Sequence, residues 1–116
     1  WGGVVYHSNY LKFYERARSD FLREGGVLQS DLKTKLNLAF VVSSMEIKFI
    51  KSAKIDDIIT AKTKVAEIKK ASIIIDQEIH CNNILINRAR VVLAIIDTKR
   101  QRPVKIPELI IKAISK

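Results

Sequence analysis

The sequence predicts an α+β domain in which one long helix lies across one face of a curled antiparallel sheet. Three observations carry that expectation. Apolar residues recur at helical spacing over residues 9–23, the period drops to two after Asn37, and the segments between the later strands are short. At 116 residues, 47% hydrophobic and 28% charged, the chain is expected to form a single domain over residues 1–116. No transmembrane-length apolar run, internal repeat, low-complexity stretch or linker is legible in it.

From Asn9 to Arg23, the residues Tyr10, Phe13, Tyr14, Ala17 and Phe21 fall three or four apart, while Lys12, Glu15, Arg16, Arg18 and Ser19 take the other side. This is the pattern of an amphipathic helix. Ser8 or Asn9 can cap its free first-turn amides, and Gly25-Gly26 supplies a left-handed stop. Residues 28–36 read as a short second helix or an irregular turn.

The first strand spans 40–50, with Val41, Met45, Ile47 and Phe49 alternating with Ser44, Glu46 and Lys48. In 58–68, Ile59, Ala61, Thr63 and Val65 alternate with Thr60, Lys62 and Lys64. In 72–81, Ile73, Ile75 and Ile79 oppose Asp76, Glu78 and His80. The fourth strand, 85–97, contains VVLAII and is apolar on both faces, which predicts a central strand covered on both sides. Short connections at 51–57, 69–71 and 82–83 make the last three strands an antiparallel meander. Pro103 and Pro107 bracket a connector, and 108–115 closes the chain with a short helix. One helix covers one sheet face; the other face predicts a homodimer or homotetramer.

Lys and Arg total 21 against 12 Asp and Glu, a net charge of +9, so an anionic partner is expected. The basic residues are dispersed and the aromatic residues fall mostly on apolar faces, which argues against nucleic acid. A single cysteine, Cys81, excludes an internal disulfide and points to a reducing compartment. Trp1-Gly2-Gly3 lacks the basic and apolar regions of a signal peptide, so the cytoplasm is the expected location. His80 and Cys81 are adjacent on a strand and point to opposite faces, and Asp56-Asp57 read as solvated turn residues. No metal-ligand spacing occurs, and neither a metal nor a cofactor is expected.

The stretch GVVYHSNYLKFYERAR, followed by MEIKFIKSAKIDDII and later KKASIIIDQEIH, resembles the hotdog-fold acyl-CoA thioesterases. The likeness is greatest to the Tol-Pal-associated YbgC-type branch, related to the 4-hydroxybenzoyl-CoA thioesterases. It covers essentially the whole chain, with Ser52 where the family's P-A-x-L-D-D turn has Pro. The resemblance implies hydrolysis of fatty or small acyl-CoA thioesters at a subunit interface. It also implies a catalytic Asp in a D-x-x-G motif ahead of the helix; with Gly3 as the motif glycine, that Asp falls one position before Trp1. The sequence therefore reads as a family member lacking its N-terminal strand and catalytic acid.

By the same resemblance, the His7 backbone N–H is the oxyanion donor, with Ser8 and Asn9 beside it, and Gly2 and Gly3 allow close approach of substrate. The His7 imidazole is a candidate for positioning water or substrate. Glu15, eight residues or about 12 Å along the helix, is the fallback acid and could serve that site only from the partner subunit. Gly3, Tyr6 and Tyr10 are expected to line the substrate site, with Phe13 and Met45 shaping acyl-pocket depth. Lys69, Lys70 and Ser72, together with Arg100 and Arg102, are the expected contacts to coenzyme A phosphates. The alternative is a non-catalytic hotdog module that binds acyl-CoA or acyl carrier protein. The family likeness also suggests lipid metabolism near the inner face of a bacterial envelope.

Overall fold

The computed structural model describes residues 7–51 and 58–115, with residues 7–9 described by backbone alone. The long helix, α1, runs His7–Glu24. It begins earlier than the apolar pattern suggested, so Ser8 and Asn9 belong to its first turn and do not precede it as caps. Its buried row is Tyr10, Tyr14, Arg18 and Leu22, a four-residue ridge of the kind that seats on a neighbouring layer. Ala17 and Phe21 flank that row, and Phe13 stays 37% exposed. Arg18, expected on the solvent side, is thus buried, because the ridge that starts at Tyr10 passes through it.

The end of α1 follows from its glycines. Val27 N donates to Leu22 O at 2.8 Å and Gly26 N to Arg23 O at 3.0 Å, with Gly26 at φ +91°, a Schellman stop that favours glycine. Past it come a turn of helix, α2 (Gln29–Asp31), and a π turn over Leu32–Leu36, closed by Asn37 in the left-handed region.

Among the described residues, five strands form one antiparallel sheet: β1 (Leu38–Phe49), β2 (Ile59–Ile68), β3 (Ser72–Cys81), β4 (Ile84–Asp97) and the short β5 (Arg102–Pro103). The order is β1-β4-β3-β2, with β5 paired to β4. The expected meander β2-β3-β4 is present, its second turn made by Asn82 and Asn83, both at positive φ. β4 is central as expected. Val91, Leu93 and Ile95 are buried under the helix layer, whereas Val92, Ala94 and Ile96 on its other face are half-buried.

β1 departs from the expected alternation. A bulge between Val42 and Ser44 pairs Val42 with Leu93 and Val41 with Ala94, so Phe40 and Val42 share the helix-side face with Met45, Ile47 and Phe49. Val41 points outward, since an inserted residue inverts the parity on one side of it. The closing helix α3 (Glu108–Ile114) buries Ile110 and Ile114. It meets the end of α1 so closely that a Cβ on Gly25 would lie 2.8 Å from the Ala113 carbonyl oxygen. The core joins Tyr10, Tyr14 and Leu22 to the inward isoleucines of β3 and to Val91, Leu93 and Ile95 of β4. No helix among the described residues is long and apolar enough to cross a membrane.

Candidate active site

The start of α1 lies over one end of the sheet. Tyr10, four-residue neighbour of the buried Tyr14, places its ring centroid 5.9 Å from that of Phe49 at the end of β1. One turn on, the Tyr14 hydroxyl donates to Asn87 Oδ1 on β4. A turn further, Arg18 Nη1 donates to Gln77 Oε1 on β3 at 2.9 Å. Gln77 Nε2 in turn donates to the Tyr14 carbonyl at 3.0 Å and to Thr63 Oγ1 on β2 at 3.1 Å. A buried polar seam thus ties α1 to three strands and fixes the roll and height of the helix.

Gln77 and Asn87 are 1% and 0% exposed. Burial pushes the Tyr14 phenol well above its ordinary pKa, with Glu78 and Tyr10 adding to the effect, so it stays a neutral donor. Sequence periodicity missed this seam. The available signal was a polar residue at an inward position of an otherwise apolar strand, Gln77 between Ile75 and Ile79.

The first turn of α1 projects amides with no partner four residues earlier in the helix, the geometry that receives a developing negative charge. His7, Ser8 and Asn9 form that turn. Gly2, Gly3, Tyr6 and the Asp56-Asp57 pair lie outside the described residues. Glu15 is exposed on α1, on the flank that faces β1. On the opposite flank a groove of about 350 Å³ runs between α1 and β2, lined by Phe13, Ala17, Phe21, Ile59, Ala61 and Thr63 with Arg16, Asp20 and Glu24. Met45 is half-buried on the helix side of β1.

The candidate phosphate contacts gather at the other end of the sheet. Lys69 and Lys70 are exposed in the β2–β3 turn, where Lys69 N donates to Ser72 O at 2.8 Å and Ile106 N to Lys70 O at 3.0 Å. That second bond brings the 102–106 segment beside the turn, so Arg102 and Lys105 join Lys69 and Lys70 on one basic edge. Arg100 is exposed in the turn after β4, its backbone N–H held by Asp97 Oδ1 at 3.1 Å. Within one subunit this edge adjoins the far end of α1, where Gly25 meets α3, and does not meet the helix start. Among the described residues no cluster of acidic, histidine and cysteine side chains could hold a metal.

A long helix held in the curl of an antiparallel sheet, with its first turn at the sheet's end, defines the hotdog class of thioester-handling domains. The family model of the thioesterase-like superfamily matches residues 1–114. A relative named acyl-CoA thioesterase YbgC, from Haemophilus influenzae, is 39% identical over 107 residues, covering 92% of this chain and 79% of its own. The Escherichia coli acyl-CoA thioester hydrolase YbgC is 34% identical over 111 residues, 95% of this chain and 82% of its own. The crystal structure of a probable thioesterase from Bartonella henselae superposes with a TM-score of 0.85 at 36% identity, covering 92% of this chain and 88% of that one. The chain belongs to the thioesterase-like superfamily.

Proposed function

We propose that this chain is the subunit of an oligomeric acyl-CoA thioesterase that hydrolyses fatty or small acyl-CoA thioesters to the free acid and coenzyme A. The observation that carries the reading is the first turn of α1, set at the sheet's end by the Tyr10–Phe49 contact and the Tyr14–Asn87 bond. Water adds to the thioester carbonyl, the oxygen takes negative charge facing the His7 N–H, and collapse expels the coenzyme A thiolate, which takes up a proton. The helix dipole adds to the stabilisation of that oxygen. The acid that activates water is the Asp that the resemblance sets one position ahead of Trp1. Glu15 is the substitute available on the chain itself, acting on the partner subunit's helix start.

The groove between α1 and β2 suits the acyl group, with Phe13, Phe21 and Ile59 as apolar wall. Lys69, Lys70, Ser72, Arg100 and Arg102 receive coenzyme A phosphates from the neighbouring subunit, because their own helix start is at the opposite end of the sheet. The protein acts in the cytoplasm, where acyl-CoA and acyl carrier protein thioesters are at hand.

Free-thiol release from a panel of acyl-CoA substrates tests the reading, run on residues 1–116 and on the chain extended upstream through the expected Asp. Hydrolysis by the extended chain alone supports the upstream acid. Equal hydrolysis by both transfers the role to Glu15. Silence in both rejects the enzyme and leaves a module that binds acyl-CoA or acyl carrier protein.

A further inference from the structure

The sheet face turned away from α1 carries an ordered pattern on its two interior strands. Across β4 and β3 the register sets Val92 beside Ile74, Arg90 beside Asp76 and Arg88 beside Glu78. β1 and β2 extend the middle row to Glu46, Arg90, Asp76 and Lys64, so its charges alternate from one side of the face to the other. Toward the end of β4 the face turns apolar, with Val92, Ala94, Ile96 and Ile74 half-buried. β3 and β4 are flanked by strands on both sides, so this pattern does not depend on what pairs with the sheet's edges. The helix start and its grooves lie on the opposite face.

Asp76 and Arg90 satisfy each other within the subunit. Arg88 is exposed and takes part in no ion pair among the described residues, and Glu78 meets the His80 ring at 3.1 Å. The charged rows border a hollow of about 750 Å³, room for long side chains from a facing surface. Four strands of about twelve residues make a face of roughly 800 Å² at ordinary strand spacings, the area that one partner of a standard interface buries.

A row of alternating charge with four members is complementary to its own reverse. A two-fold axis parallel to the strands, midway between β3 and β4, reverses every row without moving it along the strands. Arg90 then faces the partner's Asp76, Arg88 the partner's Glu78, Glu46 the partner's Lys64, and Val92 the partner's Ile74. In the two charged rows, like meets like where Lys48 faces the partner's Lys62, at the margin of the face. A two-fold lying between the charged rows, at right angles to the strands, would instead stack Arg90 on the partner's Arg88 and Asp76 on the partner's Glu78. An isologous contact has to be self-complementary, and the strand-parallel axis meets that condition. Sheets stacked face to face lie about 10 Å apart with their strands within about 30°, a gap that interleaved long side chains fill.

We propose that the outer face of the sheet docks a second copy of this chain about a two-fold parallel to the strands. Val92 on the partner's Ile74 supplies the apolar contact, and Arg88 on the partner's Glu78 sets the register. This contact is separate from the one that brings Glu15 to a neighbouring helix start, and it does not rest on the proposed function.

Sedimentation of residues 1–116 over a concentration series, without substrate, tests the pairing with two charge reversals, Arg88→Glu and Glu78→Lys. Each variant alone sets like charges opposite one another at two symmetry-related contacts and should weaken association about tenfold or more. In an equal mixture, every reversed side chain faces the opposite charge on its partner, so the mixed assembly should regain the wild-type constant. That recovery separates the contact from a folding defect, because the neighbours within each subunit are the same in the mixture as in the variant alone. Variants that associate as tightly as the wild type, or a mixture no tighter than its components, overturn the pairing.

Discussion

The Tyr14 hydroxyl spends its hydrogen on Asn87, a residue 0% exposed whose Nδ2 has no hydrogen-bond partner among the described residues. Tyr14→Phe should therefore leave the Asn87 side-chain oxygen unpaired as well and cost about 1–3 kcal/mol in urea unfolding. Adding Asn87→Leu should return most of that loss, since removing both polar partners removes the unpaired groups. On the outer face, Arg90 Nε and Nη2 donate to the two oxygens of Asp76 at 2.9 and 3.1 Å. That bidentate pair holds the Asp76 carboxyl below its ordinary 3.8 and raises the Arg90 pKa further. A depressed carboxyl stabilises the fold above its unfolded pKa and loses that contribution as the pH falls through the folded value. Stability should accordingly fall on acidification below about pH 4, and the Asp76→Asn variant should show a shallower fall in the same window. Single residues were the least legible level of the sequence: helical spacing put Arg18 on the solvent side, whereas it lies on the buried ridge that starts at Tyr10, with its guanidinium on Gln77.

Elements were legible where period and punctuation agree. The helix, the meander and the closing α3 follow from spacing of three and four, spacing of two, and the Gly and Pro positions that bound them. The bulge in β1 was not legible, because Val41, Val42 and Ser44 fit either face until pairing with β4 sets the register. The end of α1 gives the sharpest test at this scale. Gly26→Ala should cost about 1–2 kcal/mol from the left-handed backbone alone, read in thermal unfolding. Gly25→Ala should destabilise by another route, through its Cβ pressing on the Ala113 carbonyl, and an Ala at 25 that costs nothing would show that α3 can move aside.

Over the whole molecule, apolar surface is unevenly placed. Ile58, 74% exposed, stands immediately before β2, and the outer edge of β2 is unpaired among the described residues. Sedimentation should find a homo-oligomer, and Ile58→Glu should shift it toward monomer; an unchanged oligomer would place the interface elsewhere. The hotdog class was legible from the motif block around the helix start together with the strand pattern. The separation of that start from the basic edge was not, because Lys69 and Lys70 acquire a position only when the sheet order is known.

The central claim is that the His7 amide, and not its side chain, receives the thioester oxygen. His7→Pro removes that N–H together with the imidazole while suiting the first turn of a helix, whereas His7→Ala removes the imidazole alone and keeps the N–H. Octanoyl-CoA hydrolysis by the Asp-extended chain is predicted to fall about 100-fold or more in kcat for His7→Pro, with His7→Ala close to wild type. Equal rates for His7→Pro and wild type would contradict the account.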